Sequence, residues 1–344
     1  MRRRGHRLLL AELGGAAALG AAAVALQLRH QREIARDPEQ EVLAEPPAGE
    51  SIAVRSRDGT TLHVEVFGSA ERQTFVLAHG WTEMLSFWVY VIRALTDRGF
   101  RVVAYDLRGH GRSEPAPEGD YSIPRFGEDL EAVLQASVPD GQRAIVVGHS
   151  LGAMSIAAWA EHHDVERRAC AAAVLNTGVG ELIAESLLVP LPALANLLNR
   201  VAPTAMVGSR ATVPKLSTPL SQASLRWTAF GPGAGRARIA FYERMLVACP
   251  PDIRADVGLA ISKIELHHAL PRLTVPTLVL AGRGDRLTPP SHAQRIAEAV
   301  PNLQRLVILD ATGHMAPLER PDEVASELLQ LAEASVGPRA AVSA

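Results

Sequence analysis

Cysteine is nearly absent. Cys170 and Cys249 are the only two in 344 residues, so neither a thiolate zinc cluster nor a disulfide-rich scaffold can be built. They can form at most one disulfide, and their spacing does not decide it. Aromatic residues make up 4%, too few for an array of stacking platforms for single-stranded nucleic acid. An excess of one charge is missing too. The 35 basic and 37 acidic groups leave a net charge of -2, which argues against a strongly basic nucleic-acid binder. Lysine occurs only at Lys215 and Lys263, so arginine carries the positive charge. No G-x-G-x-x-G fingerprint and no G-x-x-x-x-G-K-[ST] phosphate loop are found. No cofactor, metal, nucleic acid or obligate protein partner is therefore expected.

What is present is an apolar chain. Hydrophobic residues reach 47% and charged ones 21%, which excludes general disorder. The length suits one large α/β domain or two small ones.

The amino terminus differs from the rest. Arg2, Arg3, Arg4, His6 and Arg7 precede an apolar run from Gly14 to Leu28, extended by Leu8, Leu9 and Leu10 and interrupted by Glu12. A spanning helix needs about 20 apolar residues. Residues 1–30 are read as a membrane anchor through residues 8–28, with the catalytic domain outside the cytoplasm because the denser positive cluster is amino-terminal. Two alternatives stay open: cleavage near Ala25, after an A-x-A match, or an alanine-rich helix on a cytoplasmic protein. Residues 31–50 contain DPEQEVLAEPPAGE and read as a linker. The folded domain spans 51–333, and 334–344 reads as a loose tail.

Within the domain, Ile52–Arg55 and Leu62–Phe67 flank Asp58-Gly59, a hairpin signal. Short apolar strands follow at 74–78, 101–105, 143–147, 170–175, 277–281 and 306–309. Helical stretches alternate with them at 85–97, 121–135, 151–162, 291–299 and 321–333. This alternation predicts a mostly parallel sheet with helices on both faces. From Gly178 to about Leu270 the rhythm stops, and helical patches broken by prolines predict a cap over the strand ends.

Gly148-His149-Ser150-Leu151-Gly152 sits between an apolar strand and a helix. That is the context of a G-x-S-x-G nucleophile elbow, a tight turn that presents a serine hydroxyl. His149 and the small Gly148 and Gly152 support the turn. A serine needs a base, and His314, in the loop after the last strand, is the candidate among twelve histidines. The histidine needs a carboxylate. Asp285 directly follows the strand PTLVLA, with Asp310 as its rival. The order Ser150, Asp285, His314 fits acyl transfer through an acyl-enzyme. Two N–H donors would hold the oxyanion, Leu151 after the serine and Trp81 after the permissive Gly80. Tyr105–Ser113 reads as a structural loop near the site, with Asp106 as support.

Together HGW at 79–81, YDLRGHGRS at 105–113, GHSLG at 148–152 and the loops at 282–285 and 313–315 resemble the α/β-hydrolase superfamily over about 51–333. The resemblance implies the α/β-hydrolase fold: an eight-stranded, mostly parallel sheet, a helical cap and a serine triad of Ser150, Asp285 and His314. Two departures matter. The related epoxide hydrolases and haloalkane dehalogenases carry aspartate where this chain has Ser150, and their loop often has proline where this chain has Thr82. A carboxylic ester is the expected substrate. The apolar stretch ESLLVPLPALANLLNRVAP would suit a small hydrophobic or lipid-like ester, or would simply form the core of the cap. Thioester or carbon–carbon bond hydrolysis, and an inactive binding protein, are the alternatives.

Overall fold

The computed structural model describes residues 21–69, 72–186, 208–213 and 215–335. Among them, eight strands form one sheet in the order β1-β2-β4-β3-β5-β6-β7-β8. They are β1 Glu50–Arg55, β2 Thr61–Phe67, β3 Thr74–Ala78, β4 Arg101–Tyr105, β5 Ala144–His149, β6 Ala169–Leu175, β7 Thr277–Gly282 and β8 Leu303–Leu309. β1 and β2 form an antiparallel hairpin, β2 pairs antiparallel with β4, and every later pairing is parallel.

The central strands are apolar without a polar face because both faces are covered. In β3, Val76 and Ala78 join one core, while Phe75 and Leu77 join the other. β5 repeats this with Val146 on one side and Ile145 and Val147 on the other. The period of two assigns alternate residues to opposite layers. Helices Ile123–Ser137 and Leu151–His162 cover the first face through Phe126, Leu130 and Ile156. Helices Val89–Thr96 and Pro321–Ser335 cover the second through Ile92, Val324 and Leu328. In the hairpin, Gly59 has φ +92, a left-handed conformation that glycine adopts without strain.

Between β6 and β7 the described residues contain helices Leu182–Glu185, Pro219–Thr228, Arg236–Ala248 and Pro251–Ile261. These contribute Phe241, Tyr242 and Met245 to one core and Ile253 and Val257 to the other. Residues 187–203 of the apolar stretch, expected either to face the substrate or to form the core of the cap, lie outside the described residues. Both cysteines are free thiols.

The membrane-anchor expectation for residues 8–28, and with it a catalytic domain held outside the cytoplasm, does not stand. Among the described residues no helix is long and apolar enough to cross a membrane. Residues 1–20 lie outside the described residues. Residues 21–35 form a helix whose polar face docks on the cap. Gln27, His30, Gln31 and Ile34 recur at helical spacing and share one face. Gln27 and Gln31 each donate to Ser217 O, at 2.6 and 2.7 Å, while His30 and Ile34 are buried. Alanine favours a helix far more than it favours lipid, and the described part of the run leaves Val24, Leu26 and Leu28 exposed on a helix that docks through its polar side. The linker reading of 31–50 changes for the same reason. Glu39–Ala44 is a short helix, and Glu39 pairs with Arg238 of the cap while Asp37 accepts from Ala237 N at 3.2 Å.

Candidate active site

Ser150 stands where β5 becomes helix Leu151–His162, with φ 50 and ψ -114. A non-glycine residue in that region stores on the order of 1–3 kcal/mol of strain. The turn is held from all sides. Ser150 N donates to Leu175 O at 2.9 Å, and Ser150 O accepts from Ala153 N, Met154 N and Thr177 Oγ1. The flanking glycines are required by close approach. A Cβ on Gly152 would lie 2.1 Å from Ala78 O, and one on Gly148 would lie 2.4 Å from Ala153 N. The Ser150 side is half-buried. Among the described residues no hydrogen bond joins Ser150 Oγ to His314.

Asp285 and His314 come from the carboxyl ends of neighbouring strands β7 and β8. His314 Nδ1 lies 2.8 Å from Asp285 Oδ2. The carboxylate can only accept, so Nδ1 carries the proton and Nε2 is left with its lone pair. Asp285 Oδ1 accepts from Leu287 N and Thr288 N, both at 2.9 Å, and Oδ2 also accepts from Thr288 Oγ1 and Asn176 Nδ2. Burial alone would raise the Asp285 pKa. The His314 ring and these donors outweigh it and hold the carboxyl below its ordinary value. Asp310 does not compete. It is exposed and pairs with Arg283.

The loop after β3 reaches the same place. Its Thr82 has φ 63, a left-handed strain point beside Trp81. Among the described residues neither Trp81 N nor Leu151 N is engaged by another acceptor, whereas their neighbours are. Gly80 N donates to Glu83 and Thr82 N to His110 Nε2. Two neutral histidines brace this loop. His79 Nε2 accepts from Leu107 N at 2.9 Å, and its Nδ1 donates to Gly80 O at 2.8 Å. Burial holds its pKa well below the ordinary histidine value. His110 Nε2 likewise accepts, and Nδ1 donates to Arg108 O at 3.0 Å. Asp106 accepts from Leu85 N and Arg112 N, so the 105–113 motif works as a scaffold behind the loop. The cap holds the loop's other side. Trp81 Nε1 donates to Arg254 O at 3.1 Å, and Thr82 Oγ1 lies 3.1 Å from Tyr242 OH.

The structure thus brings Ser150, Asp285, His314, Trp81 and Leu151 to adjoining strand ends, the usual ligand position in open α/β sheets. Three residues were missed from the sequence. Asn176, at φ 48, ends β6 and donates to both Asp285 and Gly313 O at 3.1 Å. An asparagine closing an apolar strand was its signal, since asparagine tolerates the left-handed region. Glu83 is buried beside Gly80 and His149. Glu319 accepts from Gly313 N, Met315 N and the cap's Gly231 N. Neither glutamate carried a sequence signal, because each joins a local backbone N–H to a partner far off in the chain, His149 for Glu83 and Gly231 for Glu319.

Comparison with known proteins agrees with this architecture. A family profile described as the alpha/beta hydrolase family matches residues 75–327. The chain is 27% identical to Epoxide hydrolase A of Mycobacterium tuberculosis, covering 79% of this chain and 94% of that one. It is 28% identical to 3-oxoadipate enol-lactonase 2 of Acinetobacter baylyi, covering 76% and 88%. Among solved structures, an esterase from a Rhodococcus species superposes with a TM-score of 0.67 at 24% identity, over 82% of this chain and 98% of that one. A match across most of the folded region, on an eight-stranded sheet with these strand-end loops, makes the chain a member of the alpha/beta hydrolase family.

Proposed function

We propose that this hydrolase cleaves carboxylic esters through Ser150, with His314 as general base and acid and Asp285 as the group that orients the ring. The observation that carries the reading is the 2.8 Å contact between Asp285 Oδ2 and His314 Nδ1, made beside a serine held at a strained elbow. The proton on Nδ1 leaves Nε2 free to take the Ser150 proton as Oγ attacks the ester carbonyl. The N–H groups of Leu151 and Trp81 hold the oxyanion. His314 then gives the proton to the departing alcohol. Water hydrolyses the acyl-enzyme, with His314 again as base. This reading requires the hydrogen bond from Ser150 Oγ to His314 Nε2 to form in the substrate complex, where catalytic hydrogen bonds commonly shorten and align.

The likeness to an enol-lactonase and an esterase supports an ester or lactone carbonyl. Ser150 stands where the superfamily's epoxide hydrolases use aspartate, which argues against epoxide opening. The test is fluorophosphonate labelling of the full chain, followed by turnover of an ester, thioester and diketone panel. Labelling of wild type but not of Ser150→Ala, with ester turnover, is expected. An unlabelled wild type overturns the nucleophile. Turnover confined to thioesters or diketones overturns the ester assignment.

A further inference from the structure

His149 lies between Gly148 and Ser150, and its ring is fully buried. Both ring nitrogens face acceptors. Nδ1 lies 3.0 and 3.1 Å from the two carboxylate oxygens of Glu83. Nε2 lies 2.8 Å from the backbone carbonyl oxygen of His314. A carboxylate and a carbonyl accept and do not donate. With Glu83 as a carboxylate, both bonds exist together only if both nitrogens carry protons. Glu83 also accepts from Gly80 N, the role a carboxylate oxygen takes. A Cβ on Gly80 would lie 2.9 Å from both Glu83 oxygens and from His149 Nδ1, so the pair occupies the space a side chain would need.

We propose that His149 is a doubly protonated positioning residue: as an imidazolium it ties the Trp81 loop, through Glu83, to the backbone of His314. This rests on the serine-hydrolase reading above. The bridge joins two loops that sequence separates widely, and it does so from the residue next to Ser150. The donor loop, the nucleophile and the base then share one hydrogen-bonded frame. No neutral imidazole can donate to both partners at once.

The surroundings agree. Phe87 and His314 place their rings 4.7 and 5.0 Å from the His149 ring. The titratable groups facing it are Glu83 and the neutral His79 from the β3 end, Asp285 from the β7 loop and His314 from the β8 loop. Burial alone would lower the His149 pKa. Glu83, the His314 carbonyl and the more distant Asp285 outweigh that and hold it above the ordinary histidine value.

The experiment uses the full chain labelled with 15N-histidine. At about pH 7, both His149 ring nitrogens should give protonated signals, and they should still do so in Ser150→Ala. One unprotonated ring nitrogen overturns the proposal, whether or not the chain hydrolyses esters. The second arm is kinetic. A folded His149→Gln should lose about 10- to 100-fold in kcat with KM little changed, because the base is displaced and substrate contacts remain. Unchanged kcat overturns the positioning role. Glu83→Gln keeps a bridge, its amide donating to Nδ1 while Nε2–H still donates to His314 O. It should show a neutral His149 and retain more kcat than His149→Gln. If His149→Gln does not fold, Glu83→Gln carries the test, and a ring still doubly protonated in it overturns the role given to Glu83. If wild type is not labelled by fluorophosphonate, the functional reading fails while the ring signals still decide the protonation.

Discussion

Asp285 Oδ2 accepts from three side chains at once: His314 Nδ1 at 2.8 Å, Thr288 Oγ1 at 2.9 Å and Asn176 Nδ2 at 3.1 Å. One oxygen thereby fixes the tautomer of His314 and is itself fixed by two neighbours. Replacing Asp285 by Asn keeps the shape but lets the amide donate, which favours the wrong tautomer of His314. Ester turnover should fall about a thousand- to ten-thousand-fold, with the circular dichroism spectrum unchanged. Asp310→Asn should turn over ester like wild type, since Asp310 is exposed and pairs only with Arg283. A larger loss from Asp310→Asn would exchange the two assignments.

The scaffold behind the donor loop rests on a buried ion pair. Arg108 Nε and Nη2 each donate to one oxygen of Asp129, at 2.7 and 2.6 Å, and Nη1 reaches Asp58 at 2.7 Å. Arg108 and Asp129 are fully buried. Asp129→Ala leaves the guanidinium without its main partner and should cost about 3–5 kcal/mol. Chemical denaturation, compared with an exposed control such as Glu118→Ala, measures it. A loss no larger than the control's would mean that solvent reaches the arginine.

Gly152→Ala tests the elbow. The added methyl would meet Ala78 O at 2.1 Å and His79 O at 2.7 Å. Both are backbone atoms at the end of β3, so the clash pushes the Trp81 loop rather than a flexible side chain. Destabilisation of about 1–3 kcal/mol is expected, together with loss of fluorophosphonate labelling. Gly233→Ala, where a Cβ meets nothing within 4 Å, should leave labelling intact. Equal labelling of both variants would show that the elbow can relax.

The sheet was legible because its central strands bury both faces. Residues 75–78 and 144–148 carry no polar side chain, and such a run, with short spacing, reads as a parallel strand. The candidate site residues were picked out by their place after strands: Ser150 directly follows β5, and Asp285 and His314 lie in the loops after β7 and β8. The amino terminus was misread because an alanine-rich run favours a helix whether or not it meets lipid. The polar face of Gln27, His30 and Gln31 acquires meaning only once Ser217 lies opposite. Glu83, Asn176 and Glu319 share that difficulty. Each binds backbone or side chains more than sixty residues away in the chain, and no local pattern encodes such partners.

Glu319 offers a test of the loop that carries His314. Its carboxylate accepts from Gly313 N, Met315 N and Gly231 N, so it joins the base loop to the cap. Burial pushes its pKa up to about 7, and the three N–H donors pull only partly the other way. In the unfolded chain the group titrates near about 4.3. Between those values the native state holds a proton that the unfolded state has released. Stability from this group is therefore full below the unfolded pKa and is lost as pH rises through about 7. Glu319→Gln cannot titrate. The Tm of the Gln variant minus that of wild type should thus become more positive as the pH is raised from about 5 to about 8. The Gln variant still lacks one acceptor, so it need not be the more stable protein at any single pH. Calorimetric scans of both proteins across that window measure the slope. A difference that stays flat, or falls as pH rises, would show that the three N–H groups stabilise the charged form more than burial opposes it.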